Sequence, residues 1–100
     1  MQDVLEAISH PARREMLRAA LAREVPAGEM AAVTGLKQPA ASQHLRILRE
    51  AGLVHVGVDG QRRLYRANRD RLAQLRAELE AFWAPALEDL RRVSEEEAGS

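Results

Sequence analysis

The stretch GLKQPAASQHLRILREAGLVHVGVDGQRRLYRA, residues 35 to 67, decides the fold. Gly35 supplies the left-handed position that ends a helix, so Gly35-Leu36-Lys37-Gln38 reads as a tight turn. From about Gln38 to Ala51, Ala41, Leu45 and Leu48 recur on one helical stripe, and Gly52 is a second terminating glycine. The period then changes from helical to alternating. Val54, Val56 and Val58 share one face against His55 and Gly57, Asp59-Gly60 is a hairpin turn signal, and Arg63 to Ala67 returns as a second strand.

Working outward toward the N-terminus, a short helix, roughly Gly28 to Thr34, directs Met30 and Val33 inward, and Val25-Pro26-Ala27-Gly28 separates it from its predecessor. Before that break, Pro11 opens a helix capped by Ser9 or His10, with Ala12, Met16, Leu17, Ala20 and Leu21 on its apolar face. Val4, Leu5 and Ile8 mark a first short helix that stops near His10-Pro11. Toward the C-terminus, Asn68 starts a last helix of more than twenty residues, on which Leu72, Leu75, Leu79, Phe82, Ala86, Leu90 and Val93 form a stripe. Pro85 lies inside it and predicts a kink, and the acidic run Glu95 to Glu97 reads as a frayed end.

The 100 residues carry 46% apolar and 30% charged side chains, the balance of one folded domain, here residues 1 to 94 with a disordered acidic tail at 95 to 100. The formal net charge is zero, but it is segregated. Residues 36 to 71 hold eight cations against three anions, a local +5, whereas residues 72 to 100 hold three against seven, a local −4. With no cysteine there is no disulfide, thiolate metal site or thiol redox chemistry. No apolar run approaches the roughly 18 residues of a membrane span, and no signal peptide opens the chain, so a cytoplasmic protein is expected.

Two helices joined by a glycine turn, then a basic hairpin, give the order of a winged helix-turn-helix, mainly α with a small β-hairpin (α-α-α-α-β-β-α). The second helix of such a unit lies in the DNA major groove, where its outward residues must be small or hydrogen-bonding. Here they are Lys37, Gln38, Pro39, Ala40, Ser42, Gln43, His44 and Arg46, with Arg62 and Arg63 on the wing beside the minor groove. Tyr65 reads as core. The last helix spans at least about 30 Å, as wide as the domain, so part of it meets a second subunit. Leu72, Leu75, Leu79, Phe82, Trp83 and Leu90 are the contacts expected on that helix. Two subunits would set their recognition helices about 34 Å apart, matching a pseudo-palindromic double-stranded operator.

The segments HPARREML, LKQPAASQHLRILREAGLV and VDGQRRLYRA resemble the ArsR/SmtB family of bacterial repressors over roughly residues 4 to 93. The resemblance implies a homodimer built through the first and last helices, which adds Val4, Leu5 and Ile8 to the dimer contacts, and a repressor that occupies an operator, its own promoter being one candidate. FWAPAL in the last helix is similar to a subgroup that often lacks the family's metal sites. The absent cysteines, and the absence of His from residues 70 to 93, leave neither family metal site to be built, and no cofactor is expected. His10, His44 and His55 have no i, i+3 or i, i+4 spacing among them. His44, pointing near Leu45, reads as a packing or phosphate-contacting residue, His10 as a cap neighbour and His55 as a strand-surface residue. Neighbouring carboxylates such as Glu78 and Glu80 face apart on a helix, and the serines find no triad partners, so no enzyme is expected. Two other readings remain: a repressor responding to a metal or small molecule at the dimer interface near Phe82 and Trp83, and a dimerisation module that no longer binds DNA.

Overall fold

The computed structural model describes residues 2 to 99. Five helices and three short strands follow in the order α1 (Gln2–Ala7), α2 (Pro11–Ala22), β1 (Val25–Pro26), α3 (Ala27–Thr34), α4 (Gln38–Glu50), β2 (Val54–Asp59), β3 (Arg62–Ala67) and α5 (Arg69–Gly99). Met16, Met30, Leu45, Leu48, Leu53 and Val25 are the largest fully buried side chains, so α2, α3, α4 and the base of the sheet share one core. Pro11 occupies the first turn of α2, and the cap is His10, whose Nδ1 accepts from the Ala12 N–H at 3.1 Å. Ser9 is turned the other way and donates to the Glu6 carbonyl.

Both glycine terminators behave as their sequence positions require. After α3, Gly35 has φ 70°, its N–H bonds the Ala32 carbonyl and the Leu36 N–H bonds the Ala31 carbonyl. After α4, Gly52 has φ 76°, with the same pair of bonds from Gly52 to Arg49 and from Leu53 to Leu48. This is the paired closure that only a left-handed residue permits without strain, and it turns the chain sharply at each end of α4.

The sheet has three strands rather than two. Val25 pairs with Tyr65 and Pro26 with Leu64, adding β1 to the outer edge of β3 in the order β1-β3-β2. A two-residue strand has no period to read, and a proline argues for a break. At a sheet edge its missing N–H costs nothing. The hairpin loop is Gly60-Gln61, since Asp59 pairs with Arg62, one residue later than Asp59-Gly60 suggested. Gly60 has φ 63° and Gln61 is not left-handed, as a type II′ turn requires. Val54 is buried and Val56 half-buried, but Val58 is 74% exposed, because the hairpin extends beyond the body.

Two further expectations are corrected in the helices. In α3, Ala31 is buried beside Met30 while Val33 is 45% exposed. An eight-residue helix turns only about two turns' worth of face to the core, and Met30, Ala31 and Thr34 occupy it. At the C-terminus, α5 is continuous through Pro85 and through Glu95 to Glu97 as far as Gly99, where a frayed tail was expected. Arg91 bridges Glu88 and Glu95 across successive turns, and Arg92 pairs with Asp89, which extends helical support into the acidic run. Ser100 lies outside the described residues.

Candidate nucleic-acid interface

Helix α4 is divided lengthwise. Ala41, Leu45 and Leu48 are buried, whereas Lys37, Gln38, Pro39, Ser42, Gln43, Arg46 and Arg49 are exposed and Ala40 half-exposed. The outward face carries no large apolar side chain and no carboxylate before Glu50. That suits close approach to a polyanion bearing base-edge donors and acceptors.

The hairpin stands beside this face. Ser42, Arg46 and Arg49 from α4, Arg63 and Tyr65 from β3, and Ala27 of α3 line one cleft of about 460 Å³. Arg63 and Tyr65 are two apart on a strand and share a face, so burial of the Tyr65 ring at 6% exposure aims Arg63 at α4. Sequence reading missed Arg49. Its signal was the spacing Ser42, Arg46, Arg49, four then three residues, which is one stripe of a helix. Arg46 is paired with Glu50 at 3.0 Å, but both side chains are well exposed and such a pair is worth little. A phosphate can displace it.

Arg62 projects from the other face of β3 and acts on Glu29 of α3. The Glu29 carboxyl is held below its ordinary range mainly by the hydrogen bond from Arg23, against which desolvation works, with the charges of Arg23 and Arg62 adding to the lowering. The two wing arginines, adjacent on a strand, therefore lie on opposite faces of β3, with Arg63 lining the cleft.

Of the two readings of His44, packing or phosphate contact, its surroundings fit packing. It is half-buried, its Nδ1 lies 3.0 Å from Arg13 Nη1, and its ring stands 4.4 Å from that of His10. Burial first, then the neighbouring His10 and Arg13, push its pKa below the ordinary value. It faces α2, not the exposed stripe of α4.

The end of α4 is anchored to α5 through Asn68. Its N–H bonds the Leu53 carbonyl at 2.8 Å, its Nδ2 bonds the Gly52 carbonyl at 2.9 Å, and its Oδ1 accepts from the Arg71 N–H at 3.1 Å as the cap of α5.

The residues expected at a subunit contact divide in two. Val4 and Leu75, at 3% and 5% exposure, already belong to the chain's own core. Ile8, Leu72 and Leu79 are half-buried against the core, and Leu5 is exposed. Phe82, Trp83, Leu87, Leu90 and Val93 are all at least half exposed on the projecting part of α5. Leu87 was not anticipated. Leu72, Leu75, Leu79 and Trp83 line an apolar cleft of about 330 Å³, with Arg76 and Glu80 at its rim. No helix among the described residues is long and apolar enough to cross a membrane.

A helix-turn-helix domain model matches residues 8–57. The biofilm growth-associated repressor of Agrobacterium fabrum is 38% identical over 88 residues, covering 87% of this chain and 74% of the relative. A solved structure described as a possible transcriptional regulator for arsenical resistance is 42% identical, with TM-score 0.74 over 81% of this chain and 84% of its own. The homodimeric winged helix-turn-helix DNA-binding domain of Mb0332 from Mycobacterium bovis, described as a possible ArsR-family regulator, is 28% identical with TM-score 0.68, covering 87% of this chain and 81% of that one. With the fold, the exposed polar face of α4 and these relatives in agreement, the chain belongs to the ArsR/SmtB-type family of winged helix-turn-helix transcriptional regulators.

Proposed function

We propose that the protein is a cytoplasmic homodimeric repressor that inserts α4 of each subunit into the major groove of a pseudo-palindromic operator, its own promoter among the candidates. The cleft in which Ser42, Arg46 and Arg49 of the recognition helix meet Arg63 of the wing carries this reading, because it joins the two DNA-contacting elements into one cationic surface. Lys37, Arg46, Arg49, Arg62 and Arg63 supply phosphate contacts, and Gln38, Ala40, Ser42 and Gln43 supply base preference, with Pro39 allowing close approach. Leu5 of α1, Ile8 in the turn that follows it, and the α5 stripe from Leu72 through Leu79, Phe82 and Trp83 to Leu90 form the subunit contact. The whole-chain charge of zero is no obstacle, since DNA meets the local excess of the middle segment.

Selection of duplexes from a random-sequence pool, with a gel shift on the DNA upstream of the protein's own gene, tests this reading. Recovery of an inverted repeat is the expected result, and failure to enrich any sequence would overturn it. On the selected duplex, Arg63→Ala should weaken binding and reduce the salt slope by about 1. An unchanged slope would remove Arg63 from the interface. Gln43→Ala should cost about 1–3 kcal/mol on the selected sequence and much less on unrelated DNA. Equal losses on both would mean that Gln43 reads no base.

A further inference from the structure

Arg13 bridges three segments of the chain. Its Nε donates to the Ala7 carbonyl at 2.6 Å and its Nη2 to the Glu6 carbonyl at 3.2 Å, both at the end of α1. Its Nη1 lies 3.0 Å from His44 Nδ1 on α4, across 31 positions of sequence. A guanidinium has donors only, so Nδ1 must offer its lone pair and the His44 proton sits on Nε2. His10 is used in the same way, its Nδ1 accepting from Ala12 while its ring packs against His44. Asp3, Glu6 and Glu50 line the adjoining cavity of about 560 Å³ with Arg13, yet among the described residues Arg13 has no carboxylate partner. All three of its contacts are to neutral acceptors.

We propose that Arg13 is a positioning residue for DNA binding, tying the end of α1 to the His44 imidazole and so holding the recognition helix in a set relation to the helix that meets the second subunit. The inference rests on the roles given above to α1 and α4. A change at the subunit contact moves the two carbonyls that Arg13 grips, and the guanidinium carries that movement to α4 without passing through the apolar core. The link has a built-in sensitivity. A proton on His44 Nδ1 removes the acceptor and sets an imidazolium against the guanidinium, with His10 the other titratable group facing the ring. Because burial favours the neutral ring, the link is complete above the ordinary histidine range and is lost as pH falls below it.

The test uses the full chain and the duplex obtained by selection, with anisotropy titrations at pH 7.5 and 5.5 at one ionic strength. Sedimentation gives the dimer affinity under each condition. His44→Gln places an amide oxygen where it can accept from Arg13 without titrating. Wild type should lose about fivefold more affinity than His44→Gln between the two pH values. His55 is present in both proteins and cancels in the comparison; because the His10 ring faces His44, the comparison is repeated in a His10→Asn background, which keeps a cap for α2. Arg13→Lys keeps the charge but cannot span three acceptors, and should bind about fivefold more weakly at pH 7.5 with the extra pH step gone. Circular dichroism establishes that each variant is folded, and if Arg13→Lys is not, the comparison of wild type with His44→Gln decides alone. Identical pH profiles for those two proteins, or Arg13→Lys binding as wild type does, would overturn the inference while leaving the functional reading intact. A wild type that binds no duplex at either pH would overturn the functional reading, and this inference with it.

Discussion

Trp83→Glu is expected to yield a folded monomer that binds DNA at least about a hundredfold more weakly. Trp83 is 51% exposed, stands edge-on to Phe82 at 5.2 Å, and forms the outer wall of the apolar cleft with Leu72 and Leu79. Buried aromatic anchors of an interface are each worth about 2–4 kcal/mol when truncated, and a two-fold axis presents each of them twice. A loss of about 4 kcal/mol weakens a dimer by roughly a thousandfold. The fold should survive because Trp83 takes no part in the core. DNA affinity falls because a monomer engages one half-site where the dimer engages two. Sedimentation velocity, circular dichroism and an anisotropy titration check the three parts separately. An unchanged dimer would move the subunit contact away from this face of α5.

Leu45→Ala should act by the opposite route, removing the fold and with it the surface. Leu45 is 1% exposed at the middle of α4, on the buried stripe with Ala41 and Leu48. Truncating a buried leucine costs about 2–5 kcal/mol, depending on how far the cavity collapses. Small domains hold about 5–15 kcal/mol in all, and 1 kcal/mol moves Tm by about 4–8 °C at this size. A Tm lower by at least about 10 °C is expected, with DNA binding lost in proportion to the unfolded fraction. A variant melting within 3 °C of wild type, roughly half a kcal/mol, would mean that α4 repacks around the gap. The two substitutions separate the molecule's two apolar surfaces, one sealed in the subunit and one left open.

The helix-turn-helix was legible because each of its instructions is local. Gly35 and Gly52 end helices by their backbone freedom, and the Ala41, Leu45, Leu48 stripe sets which side of α4 faces outward. The polar residues opposite that stripe are therefore exposed by necessity. Within the same helix the limit of such reasoning shows at His44. The sequence left it open between packing and a phosphate contact, because helical spacing says only that it lies toward the edge of the buried face. What waits at that edge is Arg13, which comes from another helix. Arg49 failed in the other direction, since a cation near a helix end looks like a response to the helix dipole until the wing is seen beside it.

The sequence by itself determined the helices, the two glycine turns, the exposed face of α4, the hairpin and the charge excess of its middle third. All of these follow from rotation per residue, backbone freedom and composition over short spans. Only the tertiary structure decided that Val25 and Pro26 join the sheet, that Val4 and Leu75 serve their own subunit's core, that Arg49 and Arg63 share a cleft, and that Arg13 clasps α1 to His44. Those are pairings between distant segments, each made by one or two residues. A single long-range contact leaves no period along the chain to reveal it, whereas a helix repeats its pattern every turn.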